Sequence, residues 1–183
     1  MDLDQVISLL TKAFAIVLLG TVAKAHPHSG VKQHAFVEIH EDVVMLRLTI
    51  APSKASSGRV VELIDTNTDG NFSASELQTF AHVVLSQVSV RSSGLELEIA
   101  SVTGAAELTD WFSEGYGQIE LHAQAVLPEG QTLQDNIDFS VNYGALSHSW
   151  KVHPFFVEPL LSDERTIKLE RRETGFCIDF SAN

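Results

Sequence analysis

Three groups of residues carry side chains that could do chemistry. The first is DTNTDGNFSASE, residues 65–76. Asp65, Asn67 and Asp69 put oxygen-bearing side chains at alternate positions, and Gly70 permits a sharp reversal. Asn71, Ser73 and Glu76 follow at the seventh, ninth and twelfth places of the stretch. A hard divalent cation such as calcium takes about six to eight oxygens at about 2.3–2.6 Å. Such a loop can supply them when alternate residues point inward. Asp65, Asn67 and Asp69 would give side-chain oxygens and Asn71 its backbone carbonyl. Ser73 would act directly or through a water, and Glu76 would close the shell with both carboxylate oxygens. Phe72, apolar at the eighth place, can pack beneath the loop.

Part of this stretch has a second explanation. Ser73-Ala74-Ser75-Glu76 spells a helix capping box, with Ser at the N-cap and Glu three residues on. Asp and Asn also make turns without a metal. Capping accounts for Ser73 and Glu76. It does not account for Asp65, Asn67, Asp69 and Gly70 in register, and three carboxylates that converge without a cation repel one another.

The second group is histidine, of which the chain has eight. His26 and His28 would open the mature chain described below, and an N-terminal histidine offers amine and ring nitrogens that suit copper or zinc. His34, Glu38 and His40 share one strand face, and His122 lies on the polar face of another, so these could converge on a metal. They are equally the polar residues that a strand's solvent face requires. No HExxH or paired-cysteine spacing is present. His148 and His153 flank Trp150 and read as loop or edge positions.

The third candidate is Cys177, the sole cysteine, so an internal disulfide is impossible. It alternates with Phe176 and Ile178 and so should point away from the core, without a nucleophilic role. There is no GxSxG, phosphate-cradling glycine loop or dinucleotide fingerprint, so no enzyme is expected.

At every ligand place, residues 65–76 resemble the EF-hand calcium-binding family. The resemblance covers residues 53–88. It implies a helix–loop–helix with calcium as cofactor, held by Asp65, Asn67, Asp69, Asn71, Ser73 and Glu76. EF-hands normally come in pairs, and the nearest second loop, DWFSEGYGQIEL at 110–121, has Phe112 at its third place and Leu121 at its twelfth. A lone loop with three carboxylates predicts weak affinity, on the order of 10⁻⁵–10⁻³ M, and a structural rather than a sensing ion.

Elements of two periods must position these groups. Apolar residues alternate at Ala35, Val37 and Ile39 and again at Val44, Leu46, Leu48 and Ile50, which predicts a hairpin turning at Glu41–Asp42. Alternation resumes with Leu95, Leu97 and Ile99, with Ile119, Leu121, Ala123, Ala125 and Leu127, and with Ile137, Phe139, Val141 and Tyr143. WKVHPFFVE is strand-like but broken by Pro154, which predicts an edge or a bend. TIKLERR and GFCIDF close the chain. About eight strands result, in a mainly β fold, an antiparallel β-sandwich-like domain. Within it, Leu77, Phe80, Ala81, Val84, Leu85 and Val88 form one helical stripe. SKASSGRVVELI before the loop predicts a weaker helix, frayed at Ser56, Ser57 and Gly58. The EF-hand is thus an insertion at 53–88 in a domain spanning 26–183.

Composition bounds the rest. The chain has 183 residues, a formal net charge of -12 and a hydrophobic fraction of 44%, enough for a real core. The negative charge disfavours nucleic acid and anionic membranes and suits divalent cations. AFAIVLLGTV is a short apolar run preceded by Lys12 and followed by AKA, which predicts a signal peptide over 1–25 cleaved after Ala25. Residues 1–25 hold Asp2, Asp4, Lys12 and Lys24, so cleavage leaves the net charge unchanged. The mature chain would be periplasmic or secreted. The signal peptide, AHPH at the cleavage point, the early hairpin and the acidic loop are together similar to extracytoplasmic β-domains of some bacterial metal-transport and metalloenzyme-accessory membrane proteins. That resemblance implies a metal-related membrane or extracytoplasmic partner. The sequence therefore predicts a calcium-binding exported protein. A periplasmic copper or zinc carrier using His26 and His28, and a calcium-shaped adhesion or partner-binding module, are the alternatives.

Overall fold

Apolar residues at every second position bury one face of a strand, and the chain uses this device in two sheets. The structure, a computed structural model, describes residues 30–107, 109–133, 136–157, 160 and 165–182. The expected signal peptide and His26 and His28 lie outside the described residues.

The first hairpin is β1 (Val31–Ile39) and β2 (Val43–Pro52), in register from Val31 opposite Pro52 to Ile39 opposite Val44. Helix α1 (Lys54–Ile64), the 65–73 loop and α2 (Ala74–Leu85) follow. Then come β3 (Val88–Ser92), β4 (Leu95–Glu96) and β5 (Glu98–Glu107). A 3-10 helix (Thr109–Glu114) leads into β6 (Gln118–Val126). The chain closes with β7 (Asn136–Val141), β8 (Lys151–Phe156), β9 (Arg165–Arg172) and β10 (Gly175–Ala182). The fold is mainly β, with one five-stranded sheet ordered β5-β6-β2-β1-β8 and another ordered β4-β3-β7-β10-β9.

Along β1, β2, β6, β7 and β10 the inward rows are those the alternation predicts, whereas Leu95, expected inward, is exposed. Ala35, Val37, Ile39, Leu48, Ile50, Ile119 and Leu121 are buried from the first sheet, and Val90, Ile137, Phe139, Phe176 and Ile178 from the second. Both sets belong to one core. Phe156 of β8 meets Phe180 of β10 edge to face at 6.4 Å, and Phe139 stacks on Phe176 at 5.4 Å. Each such Ile, Leu or Phe contributes roughly 1.5–3 kcal/mol of transfer free energy. Cys177 is half-buried between Phe176 and Ile178, on the side away from the core.

The structure corrects several expectations. There are ten strands among the described residues, not eight. The Leu95–Ile99 alternation is not one strand. Leu95 and Glu96 pair with β3 in the second sheet, the Leu97 N–H donates to the Val90 carbonyl, and β5 then joins the first sheet. The chain changes sheets at Leu97, which stays buried throughout. Val88 falls on the helical stripe but opens β3, because α2 ends at Leu85 with Ser86 as its cap. The pairing is not wholly antiparallel, since β8 runs parallel to β1. Helix α1 is continuous through Ser56, Ser57 and Gly58. Buried Ser57 donates to the carbonyls of Lys54 and Ser113, a tertiary contact that overrides its weak helix propensity.

Helix α2 presents Leu77, Phe80, Ala81, Val84 and Leu85 to the core. It packs on β5, where Gln78 Nε2 donates to the Val102 carbonyl at 2.7 Å. Phe80 meets Tyr143, just beyond β7, edge to face at 6.1 Å. The helix that follows the loop is thus anchored to the first sheet and to the segment just after β7.

Candidate functional site

The loop starts where α1 stops. Asp65 is the C-cap of α1, and its N–H closes on the Val61 carbonyl at 2.8 Å. Its buried carboxylate then becomes the hub of the loop. Oδ1 accepts from the Asp69 N–H at 3.1 Å and Oδ2 from the Gly70 N–H at 2.9 Å. The chain must turn tightly to bring those two N–H groups back. Thr68 has φ 59° and Gly70 φ 82°, left-handed backbone that glycine adopts without strain.

Asn67 and Asp69 hold each other. Asn67 Oδ1 accepts from the Asp69 N–H at 2.8 Å, and Asn67 Nδ2 donates to Asp69 Oδ2 at 3.0 Å. Asp69 Oδ1 accepts from the Asn71 N–H at 2.8 Å, and Asn71 Nδ2 donates to the Asp69 carbonyl at 3.2 Å. The first four expected ligand residues are therefore gathered into one hydrogen-bonded turn.

Ser73 and Glu76 close the far end. Ser73 caps α2, its Oγ accepting from the Glu76 N–H at 3.2 Å. Glu76 Oε2 accepts from the Ser73 N–H at 3.0 Å and from Ser73 Oγ at 2.7 Å. Glu76 Oε1 reaches back to the start of the loop, accepting from the Thr66 N–H at 2.8 Å, Thr66 Oγ1 at 3.1 Å and the Asn67 N–H at 3.2 Å. These donors, the Ser73 hydroxyl and N–H foremost, hold the Glu76 carboxyl down at about 2 against the opposing effect of burial.

All six expected residues thus lie on one closed loop, and its donor set of carboxylate, amide, hydroxyl and carbonyl oxygens suits a hard cation. The carboxylate oxygens of Asp65, Asp69 and Glu76 are engaged by N–H and O–H donors. Among the described residues, no three His, Cys, Asp or Glu side chains come together as a metal-holding cluster.

Of the two readings of the histidines, the arrangement fits solvent-facing polar residues. His34, Glu38, His40 and His122 do not converge among the described residues. His40 Nε2 sits 3.1 Å from Glu38 Oε1, and His122 Nε2 sits 3.4 Å from Glu120 Oε2. His34 instead meets His153, with Nδ1 to Nε2 at 3.1 Å and the rings parallel. Phe36 stacks on His153 at 5.0 Å, and the Arg47 guanidinium lies 4.2 Å from the Phe36 centroid. This ladder runs along the outer face of β8, β1 and β2. The sequence hid it because β1 and β8 are far apart along the chain and pair in parallel.

Phe72 and Phe112 make the other contact that the loop spacing did not specify. Their rings meet edge to face at 5.3 Å. No protein-family model, curated protein or solved structure matches the chain.

Proposed function

We propose that the protein binds calcium through Asp65, Asn67, Asp69, Asn71, Ser73 and Glu76, and that the ion is mainly structural. One observation carries the reading. The twelve residues with the required oxygen donors form a closed loop framed by a helix at each end, its first residue capping α1 and its last latched across to Thr66 and Asn67. In this reading the helix–loop–helix is an EF-hand inserted into a β-sandwich made of the two sheets. Asp65, Asn67, Asp69, the Asn71 carbonyl, Ser73 and Glu76 would hold the ion with their oxygens. Bound calcium supplies the positive charge that lets three carboxylates face one centre.

The structural role is supported by α2, whose apolar stripe is committed to the core. Ligation of the folded state adds RT ln(1 + [L]/Kd), about 2.7 kcal/mol at a hundredfold excess over Kd. The protein acts outside the cytoplasm, periplasmic or secreted, alongside a membrane or extracytoplasmic partner. Isothermal calcium titration of the purified protein tests the reading. A single weak site, lost in Glu76→Gln, is expected. A calcium-dependent melting shift that survives Glu76→Gln overturns the ligand assignment. Mass spectrometry of the exported chain tests the localisation, with a start at His26 expected.

A further inference from the structure

The segment between β5 and β6 was the nearest candidate for a second loop, and it packs against the first. Phe112, in the 3-10 helix, is 2% exposed and takes the Phe72 ring edge on, at 5.3 Å and 86°. The Phe112 ring also lies close against Gly117, where any Cβ would collide with its Cδ2. The ring is therefore held by both the loop and its own segment. The same segment grips α1. Lys54 Nζ donates to Glu114 Oε2 at 2.5 Å, and Ser57 Oγ donates to the Ser113 carbonyl at 3.3 Å. Because α2 is bolted to β5, the stretch running from β5 to β6 holds both helices and the loop's apolar residue.

We propose that Phe112 is a positioning residue for the cation loop, taking the place against Phe72 that a paired loop would fill. This rests on the calcium reading above. Phe72 is bonded on one side to Asn71, the carbonyl donor, and on the other to Ser73, the partner of Glu76. Fixing the Phe72 ring therefore fixes two of the oxygens that face the ion. Loss of the Phe112 ring frees that part of the loop without touching any ligand.

The test is calcium titration of the purified protein and three variants, with melting measured in chelator. Phe112→Leu is expected to weaken calcium affinity roughly tenfold, the scale on which residues behind metal ligands act. Phe72→Leu removes the same contact from the half-buried side and should do likewise, which keeps the test readable if Phe112→Leu does not fold. Phe139→Leu, in β7 and remote from the loop, should lower the melting temperature yet leave affinity within about twofold. Loop affinity that is unchanged in a folded Phe112→Leu or Phe72→Leu overturns the positioning role and leaves the calcium site standing. An unmodified protein that binds no calcium overturns both.

Discussion

The Thr66 N–H donates to Glu76 Oε1 over 2.8 Å, tying the second residue of the loop to its last. The Ser73 hydroxyl and N–H foremost, then the Asn67 N–H and the Thr66 hydroxyl, hold the Glu76 carboxyl far below the ordinary carboxylate range, at about 2. Its folded value lies below its unfolded value, so the stabilisation is complete above about 4.5 and is lost as pH falls toward about 2. Urea midpoints in chelator between these limits should fall more steeply for the unmodified protein than for Glu76→Gln. Parallel profiles for the two would mean that the latch contributes nothing.

Ser73 acts on the same latch from the helix side. Its Oγ accepts from the Glu76 N–H and donates to Glu76 Oε2. Ser73→Ala should cost about 1 kcal/mol in denaturant unfolding, the usual worth of an N-cap. It should also raise the Glu76 pKa, which carbon-13 NMR of the carboxyl would report.

Gly70 has open space around it, and its φ of 82° is the whole of its constraint. Gly70→Ala should therefore destabilise the protein by about 1–2 kcal/mol through backbone strain alone. Gly70→Asn should recover part of that loss, because Asn tolerates this conformation better. Equal losses in thermal melts of the two variants would point to a steric cause.

On the outer face of the first sheet, burial lowers the His34 pKa below 6.5, and the neighbouring His153, Lys151 and Lys32 lower it further. The folded state resists protonating His34 while the unfolded chain does not. Stability from this group is present above about 6.5 and declines as pH falls through the lower folded value. His34→Gln should flatten the dependence of the urea midpoint on pH between about 7.5 and 5. A profile with unchanged slope would show that His34 does not titrate differently on folding.

What the sequence made legible follows the distance over which each feature is determined. The six loop residues are near neighbours, and Ser73 and Glu76 carry their own capping pattern, so the loop and the start of α2 could be picked out directly. The alternation of β1, β2, β6 and β7 identified the buried rows residue by residue. Val88 was ambiguous because it continues the α2 stripe and also begins the Val88–Val90 alternation of β3. Leu97 stays buried while the chain passes from one sheet to the other, so its alternation gave no sign of the crossing. The His34–His153 and Phe72–Phe112 contacts depend on how distant segments pack, and no local pattern encodes that.

The parallel pairing of β1 with β8 has a consequence for how the chain matures. Strands β1, β2, β6 and β5 can assemble once residue 107 and then residue 126 are available, but β8 closes that sheet only when residues 151–156 arrive. Non-local pairings of this kind slow folding more than they weaken the product. Until β8 docks, the edge of β1 carries unpaired backbone groups beside Phe36 and is open to strands of other chains. While β8 is still absent, the incomplete sheet is exposed to aggregation at this edge, and a rapid approach of β8 protects it.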